Sequence, residues 1–151
     1  MTKRLLLIAA LSLLSMPAWA QQKVEITADV FTVEESASEA VFTGNVVVIH
    51  PSVKVWADKV VAIYGAAGPS DIESFVATGK VVKLVTPEQT ATGERAVFTP
   101  GDQLLRLTGN VLVVNSGGTV GSQELVVNLE TNVSTFTSSG GGRVTGIFNS
   151  Q

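Results

Sequence analysis

The sequence predicts an all-β protein on three grounds: its residue types, its alternation and its turn signals. The 131 residues from Gln21 onward contain 24 valines, 14 threonines and 5 isoleucines, and such β-branched side chains suit a pleated sheet. Segments 23–28 and 52–55 place an apolar side chain at every second position, as does 124–129 with the exception of Val126. This is the period of a half-buried strand. We therefore expect many short antiparallel strands, about eight to sixteen of them.

Clusters of glycine, proline, asparagine and serine divide the chain into these strands. They lie at 65–70, 87–88, 100–102, 115–118 and 138–142, and such clusters are typical of turns. No stretch carries a convincing helical stripe of apolar residues. The acidic segment 33–40 is the only candidate for a helical turn, and we interpret it as a polar loop.

A repeated motif organises the predicted strands. The sequence Thr-Gly-Asn or Thr-Gly-Lys occurs at 43–45, 78–80 and 108–110, with a weaker echo at 142–144. A small residue followed by a polar one opens a second unit at 28, 57, 93 and 121. One unit cannot bury its own apolar face, so the copies are expected to stack. Glycine inside a strand indicates a bulge or tight bend, and this is our interpretation of Gly44 and Gly109.

The composition fits one domain and excludes several kinds of site. The chain has 151 residues, no cysteine and one histidine, which leaves no thiol nucleophile, cysteine metal cluster or histidine-rich metal site. Its formal charge is −3, and it carries no basic run. An acidic chain of this kind is not expected to bind nucleic acid, whose phosphates require a positive surface.

The first twenty residues have the order of a secretory signal peptide. Lys3 and Arg4 precede an apolar stretch, Pro17 follows it, and small residues stand at Ala18 and Ala20. This order predicts export with cleavage after Ala20. The alternative is an uncleaved membrane anchor, but the apolar stretch is short of the roughly 20 residues that span a bilayer. Cleavage would leave a single domain, 21–151, with a formal charge of −5.

The remaining polar residues predict no catalytic, metal or cofactor site. His50 stands between an apolar run and Pro51, which is typical of a polar residue at a strand end. Four acids occupy equivalent places in the repeat, which indicates structural roles at turns and strand starts: Asp29, Asp58, Glu94 and Glu124. The triple glycine at 140–142 lacks the lysine and hydroxyl residue of a phosphate-binding loop.

The apolar content leaves the nature of the interior open. Segments 46–49 and 111–114 have no polar alternation, so both of their faces are apolar. One possibility is a fully packed sandwich core. The other is a groove for an apolar ligand, as larger β-barrels and jelly rolls enclose.

Taken in order, these segments resemble the LptA/OstA-like family of periplasmic lipopolysaccharide-transport proteins. The residues that carry the resemblance are 26–29, 42–48, 53–61, 107–110 and 142–145. The resemblance implies an open, twisted β-jelly roll built from repeats, located in the periplasm and without enzymatic activity. The sequence departs from the family pattern at 65–77, a segment with its own loop composition.

The resemblance also implies a function. Such proteins hold the acyl chains of lipopolysaccharide in an apolar groove and join end to end through edge strands to bridge the inner and outer membranes. From alternation we predict the groove lining to be Val24, Ile26, Val46, Val48, Val53, Val55, Val60, Val82, Leu84, Phe98, Leu105, Leu107, Val111, Val113, Leu125 and Val127. Three basic residues at the opposite parity are expected to face water: Lys54, Lys83 and Arg106.

The implied partners are lipopolysaccharide, LptC-like and LptD-like transport proteins, and further copies of this chain arranged head to tail. An LptC-like protein would meet the N-terminal edge, at Val24, Ile26, Ala28 and Val30. An LptD-like protein would meet the C-terminal edge, at Val144, Gly146 and Phe148. Two other classes remain open from the residues themselves: a periplasmic β scaffold or assembly factor that binds no lipid, and a periplasmic hydrolase.

Overall fold

The described part of the chain forms ten antiparallel β-strands, as its residue types predicted. The computed structural model describes residues 23–150, so the predicted signal peptide lies outside the described residues. The strands are β1 (Glu25–Thr27), β2 (Val30–Glu34), β3 (Glu39–His50), β4 (Val53–Tyr64), β5 (Ile72–Val85), β6 (Gln89–Thr99), β7 (Leu104–Asn115), β8 (Gly118–Asn128), β9 (Val133–Thr137) and β10 (Thr145–Phe148).

Two local predictions need correction. The segment interpreted as a polar loop, 33–40, contains one turn of 3₁₀-helix at Glu35–Ala37, which ends at Ser38 in the left-handed conformation. The segment assigned a loop composition, 65–77, is a loop only to Asp71. Strand β5 begins at Ile72, opposite Tyr64, and after a register shift its inward positions follow the alternation of Phe75 and Ala77.

Strands β3 to β8 are 11 to 14 residues long, which is longer than predicted, but each bends near its middle. The pairing register shifts between Thr43 and Val46, and again between Thr108 and Val111. Similar shifts lie at 56–59, 78–82 and 92–95. Bulges of this kind bend a strand and increase its twist. Each long strand therefore acts as two short ones.

The bends divide the sheet into two halves, which we name by their first strands. The β1 half-sheet contains β1, one half of each long strand and β10: residues 25–27, 46–50, 53–57, 82–85, 89–93, 111–115, 118–122 and 145–148. The β2 half-sheet contains β2, the other halves and β9: residues 30–34, 39–43, 59–64, 72–78, 95–99, 104–108, 124–128 and 133–137. The result is the open β-jelly roll that the sequence predicted.

The repeated motif marks the line of bends. Gly44 and Gly109 have φ of +82° and +83°, and Asn45 and Asn110 follow them in the left-handed region. A side chain carbon at Gly44 would lie 2.5 Å from Oδ2 of Asp29. Glycine is therefore required here for its conformation and for the close approach of a carboxylate.

The acids of the repeat bond to these bends. The Asn45 amide donates to Asp29 Oδ2 over 2.9 Å, and the Asn110 amide donates to Glu94 Oε1 over 2.8 Å. The third acid accepts from a backbone, since the Lys80 N–H lies 3.1 Å from Asp58 Oδ2.

The fourth copy departs from this pattern. Glu124 lies 3.9 Å from Arg106, and Gln123 bonds instead to the Ser139 hydroxyl beside the β9–β10 loop. The acids were predicted at turns and strand starts; Asp29 does lie between two strands, whereas Asp58 and Glu94 lie within β4 and β6, at the bends.

The core lies between the two half-sheets. One face of each is apolar and packs against the other. The largest fully buried side chains are Val46, Val60, Val82, Leu107, Val113 and Leu125. Phe42, Phe75, Phe98 and Phe136 are half-buried and pack against the same cluster.

Candidate functional site

The candidate site is an apolar slot between the half-sheets, on the side away from the bends. The turns at the tips of the two half-sheets face each other there, and we call this opening the seam. The first part of the slot is lined by Val24, Val48, His50, Val53, Val55, Val60, Phe75, Ala77, Ala96, Phe98 and Leu105. His50 is the only polar side chain in this lining.

The two half-sheets cross at an angle. The half of a long strand in one half-sheet therefore faces other strands in the second half-sheet, and not its own continuation. In the first part of the slot, β3 and β4 of the β1 half-sheet lie over β5, β6 and β7 of the β2 half-sheet. Further along, β5 and β6 lie over β7 and β8, with Leu84 and Ala91 facing Leu125 and Val127. Leu105 lines both parts, so the two parts adjoin along the seam.

The slot is narrow. Its first part has a free volume of about 40 Å³ and its second about 10 Å³, whereas sites for small ligands are typically about 300–1,000 Å³. Toward the bends the inner side chains meet without a gap, as the exposures of 0% for Val82 and 1% for Val46 show. An acyl chain can therefore enter only if the half-sheets separate at the seam.

All sixteen residues predicted to line a groove lie on the inner faces. Eleven are in the buried core, and Ile26, Val48, Phe98 and Val127 pack against it half-buried. Val24 lines the slot. Ten of the sixteen line the first or the second part of the slot: Val24, Val48, Val53, Val55, Val60, Leu84, Phe98, Leu105, Leu125 and Val127. The others lie nearer the bends or the first edge.

The basic residues at opposite parity lie on the outer faces. Lys54 and Lys83 are exposed, and their ammonium groups lie 5.0 and 5.4 Å from the ring centre of Trp56. Lys83 is paired with Trp56 across β4 and β5, and Lys54 lies two residues before Trp56 on β4. The exposed Arg106 pairs with Glu124.

His50 ends strand β3, as predicted, but it is 8% exposed and its ring forms part of the slot wall. Its ring lies 5.5 Å from that of Phe98 in an edge-on arrangement, and Nδ1 accepts a bond from the Ser52 N–H over 3.0 Å. Burial lowers the pKa of His50. The neutral imidazole is favoured for this reason, which preserves the apolar character of the slot near neutral pH.

Besides His50, three residues that line the first part of the slot were not among those predicted. Phe75 stacks on Phe98 with ring centres 6.3 Å apart, and Ala77 and Ala96 are buried beside them. Phe75 and Ala77 fall in the segment taken for a loop. Their alternation with the outward Val76 was the signal that could have identified them.

The predicted partner edges lie at opposite ends of the sheet. Val24, Ile26, Ala28 and Val30 lie at β1 and the start of β2, and Val144, Gly146 and Phe148 lie at or beside β10. Each end also exposes a second edge, since β2 ends the β2 half-sheet on one side and β9 on the other. Several edge side chains are apolar and exposed, among them Phe31 (57%), Ile147 (64%) and Phe148 (73%).

Other kinds of site were sought in the described part of the chain. Residues 23–150 contain no group of three or more acidic or histidine side chains placed to hold a metal ion. Within the same range, no helix has the length and apolar character needed to cross a bilayer.

Comparisons with known proteins agree with this architecture. Residues 25–133 match the family model described as "LptA/(LptD N-terminal domain) LPS transport protein". An uncharacterised protein of Rhizobium meliloti, R00383, is 30% identical over 105 residues, which are 66% of this chain and 56% of that protein. The chain thus spans little more than half the length of this relative.

The fold is similar to a solved structure, that of LptH from Pseudomonas aeruginosa. That protein is described as the LptA-homologous periplasmic component of the lipopolysaccharide transport device. The match has a TM-score of 0.73 at 18% identity and covers 85% of this chain and 96% of LptH.

Proposed function

Since the chain belongs to the family of LptA/(LptD N-terminal domain) lipopolysaccharide transport proteins, we propose that it is a periplasmic carrier of lipopolysaccharide. In this proposal the acyl chains lie between the half-sheets, and copies of the chain join through their edge strands to bridge the inner and outer membranes. The predicted N-terminal signal peptide supports the compartment. The proposed role is binding and transfer, without a chemical step.

The observation that carries the proposal is the seam-side slot with its apolar lining. A sandwich that only has to fold would gain most from closing both sides of its core. Here the half-sheets are joined at the bends, and on the other side apolar residues such as Phe75, Phe98 and Val48 are only half-buried. Separating the half-sheets at the seam would expose these side chains to a hydrocarbon ligand.

The burial of an acyl chain offsets the cost of opening the seam. Each CH₂ group removed from water contributes about 0.8 kcal/mol, so a single chain of ten or more carbons offsets several lost side-chain contacts. This contribution does not depend on charge. An acidic protein can therefore carry an anionic lipid.

The exposed edges support assembly by strand addition. Unpaired edge strands expose backbone donors and acceptors that pair readily with another chain. We propose that the β1–β2 end meets an LptC-like protein or another copy, and that the β9–β10 end meets an LptD-like protein or another copy.

The narrowness of the slot favours a second candidate, a periplasmic scaffold or assembly factor that binds no lipid. The two candidates differ in whether hydrocarbon ever enters between the half-sheets. The third class, a hydrolase, is not favoured, because Asp29, Asp58 and Glu94 lie at the bends and not in the slot.

Photo-crosslinking from neighbouring residues of opposite parity separates the candidates. A benzophenone amino acid at Val48 or Phe98 is expected to capture lipopolysaccharide, because both side chains line the slot. The matched controls are Val47 and Val97, which lie on the outer faces, where Val47 pairs with Trp56 and Val97 with Val76. Capture at all four positions, or at none while lipid remains bound, would reject the slot as the binding site.

A further inference from the structure

The rim of the seam is polar, in contrast to the slot beside it. A pocket of about 280 Å³ opens there, lined by Ser52, Thr86, Glu88, Gln89, Val127, Leu129, Asn132 and Ser134. Thr86, Gln89, Val127 and Leu129 also line the second part of the slot. An amphiphilic ligand could therefore contact both regions at once.

Three turns build this rim. The β3–β4 turn contributes Ser52, the β5–β6 turn contributes Thr86 to Gln89, and the β8–β9 turn contributes Asn132. Ser134 lies on β9 opposite Val127. The rim thus joins the tips of both half-sheets.

The rim presents neutral hydrogen-bonding groups that the protein does not use itself. The Thr86 hydroxyl is engaged in its own turn, where it accepts from the Gln89 N–H over 3.2 Å. Among residues 23–150, by contrast, the side chains of Gln89, Asn132 and Ser134 have no hydrogen-bond partner. An amide offers both donors and acceptors, and a hydroxyl offers both as well. This set suits the hydroxyl and amide groups of a sugar.

The charge of the rim argues against a phosphate in the same place. Its lining contains one carboxylate, that of Glu88, and neither lysine nor arginine. Lys54 lies instead in an adjoining pocket of about 290 Å³ that shares Ser52 and Thr86 with the rim. A phosphate would be favoured beside Lys54 and disfavoured beside Glu88.

We propose that this polar rim binds the uncharged sugar portion of a glycolipid head group whose acyl chains lie in the slot. The proposal rests on the proposed function and assigns the head group to one stretch of the seam, between the β5–β6 and β8–β9 turns.

The test compares two probes that differ in their head group. Lipid A in detergent carries acyl chains on a sugar, and a fluorescent fatty acid carries a chain without one. The variant is Asn132→Gly/Ser134→Ala, at two positions that line the rim and not the slot, and glycine retains the positive φ of Asn132. The control is Thr92→Ala/Ser74→Ala, whose positions lie on the outer faces. The rim variant is expected to bind lipid A roughly tenfold more weakly, since two hydrogen bonds are lost, and to bind the fatty acid like the control.

Unchanged lipid A binding would overturn the rim assignment, and so would an equal loss for both probes, which indicates damage to the slot. If the unsubstituted protein binds neither probe, the proposed function itself fails. Ser134→Ala alone, with roughly a threefold loss, serves where the double variant folds poorly, and thermal melting followed by circular dichroism checks folding in each case.

Discussion

Asp29, Asp58 and Glu94 explain why a repeat is visible in this sequence. Each carboxylate bonds to the bend of a later strand, 16 or 22 residues further along the chain. At Gly44 and Gly109 the bend also needs the left-handed conformation, whereas at Gly79 only the close approach of Asp58 requires glycine. The motif therefore marks a backbone requirement.

The glycine at such a bend can be tested by substitution. Gly109→Ala is expected to destabilise the fold by about 1–3 kcal/mol, because φ is +83° and the new carbon would meet the Glu94 carboxylate. Gly101→Ala is the control, since a carbon there would meet nothing within 4 Å. Urea unfolding followed by circular dichroism measures both. Equal stability of the two variants would contradict the role given to the bend.

At the scale of strands, alternation predicted which side chains face inward, but not where each strand begins and ends. The outward positions of Lys54, Lys83 and Arg106 follow from parity alone. The start of β5 was missed because glycine and proline at 65–69 dominate the local composition. Strand β9 was not recognised as an edge, since edge position depends on which strands pair, and pairing is set by contacts distant in sequence.

The edge strands give a prediction at this scale. Ile147→Asp is expected to reduce self-association, because a charge on the β10 edge is poorly tolerated in a strand–strand interface. Leu112→Asp is the control, an exposed apolar residue (46%) on the outer face of a strand paired on both sides. Multi-angle light scattering at several protein concentrations measures the mass. An equal effect of both substitutions would assign self-association to general surface hydrophobicity.

At the scale of the whole molecule, the sequence predicted an all-β jelly roll and the inner lining, but not how the halves meet. The β1 half-sheet faces strands one to three positions further along in the β2 half-sheet, an offset that arises from sheet twist. The burial of His50 against Phe98 follows from this offset. Neither residue's local sequence contains that information, because their strands are not neighbours.

In the proposed function, hydrocarbon enters between the half-sheets when the seam opens. The chain has no native cysteine, so a linker reacts only with introduced ones. A reducible linker with two thiol-reactive ends, attached to Glu88→Cys/Asn132→Cys, would bridge the seam between two exposed turns that line the same pocket. The control pair, Glu88→Cys/Ser116→Cys, bridges neighbouring turns of one half-sheet. Lipopolysaccharide binding is measured before and after the linker is reduced. The account predicts loss of binding by the seam-bridged protein alone and its recovery on reduction, and undiminished binding across a bridged seam would contradict it.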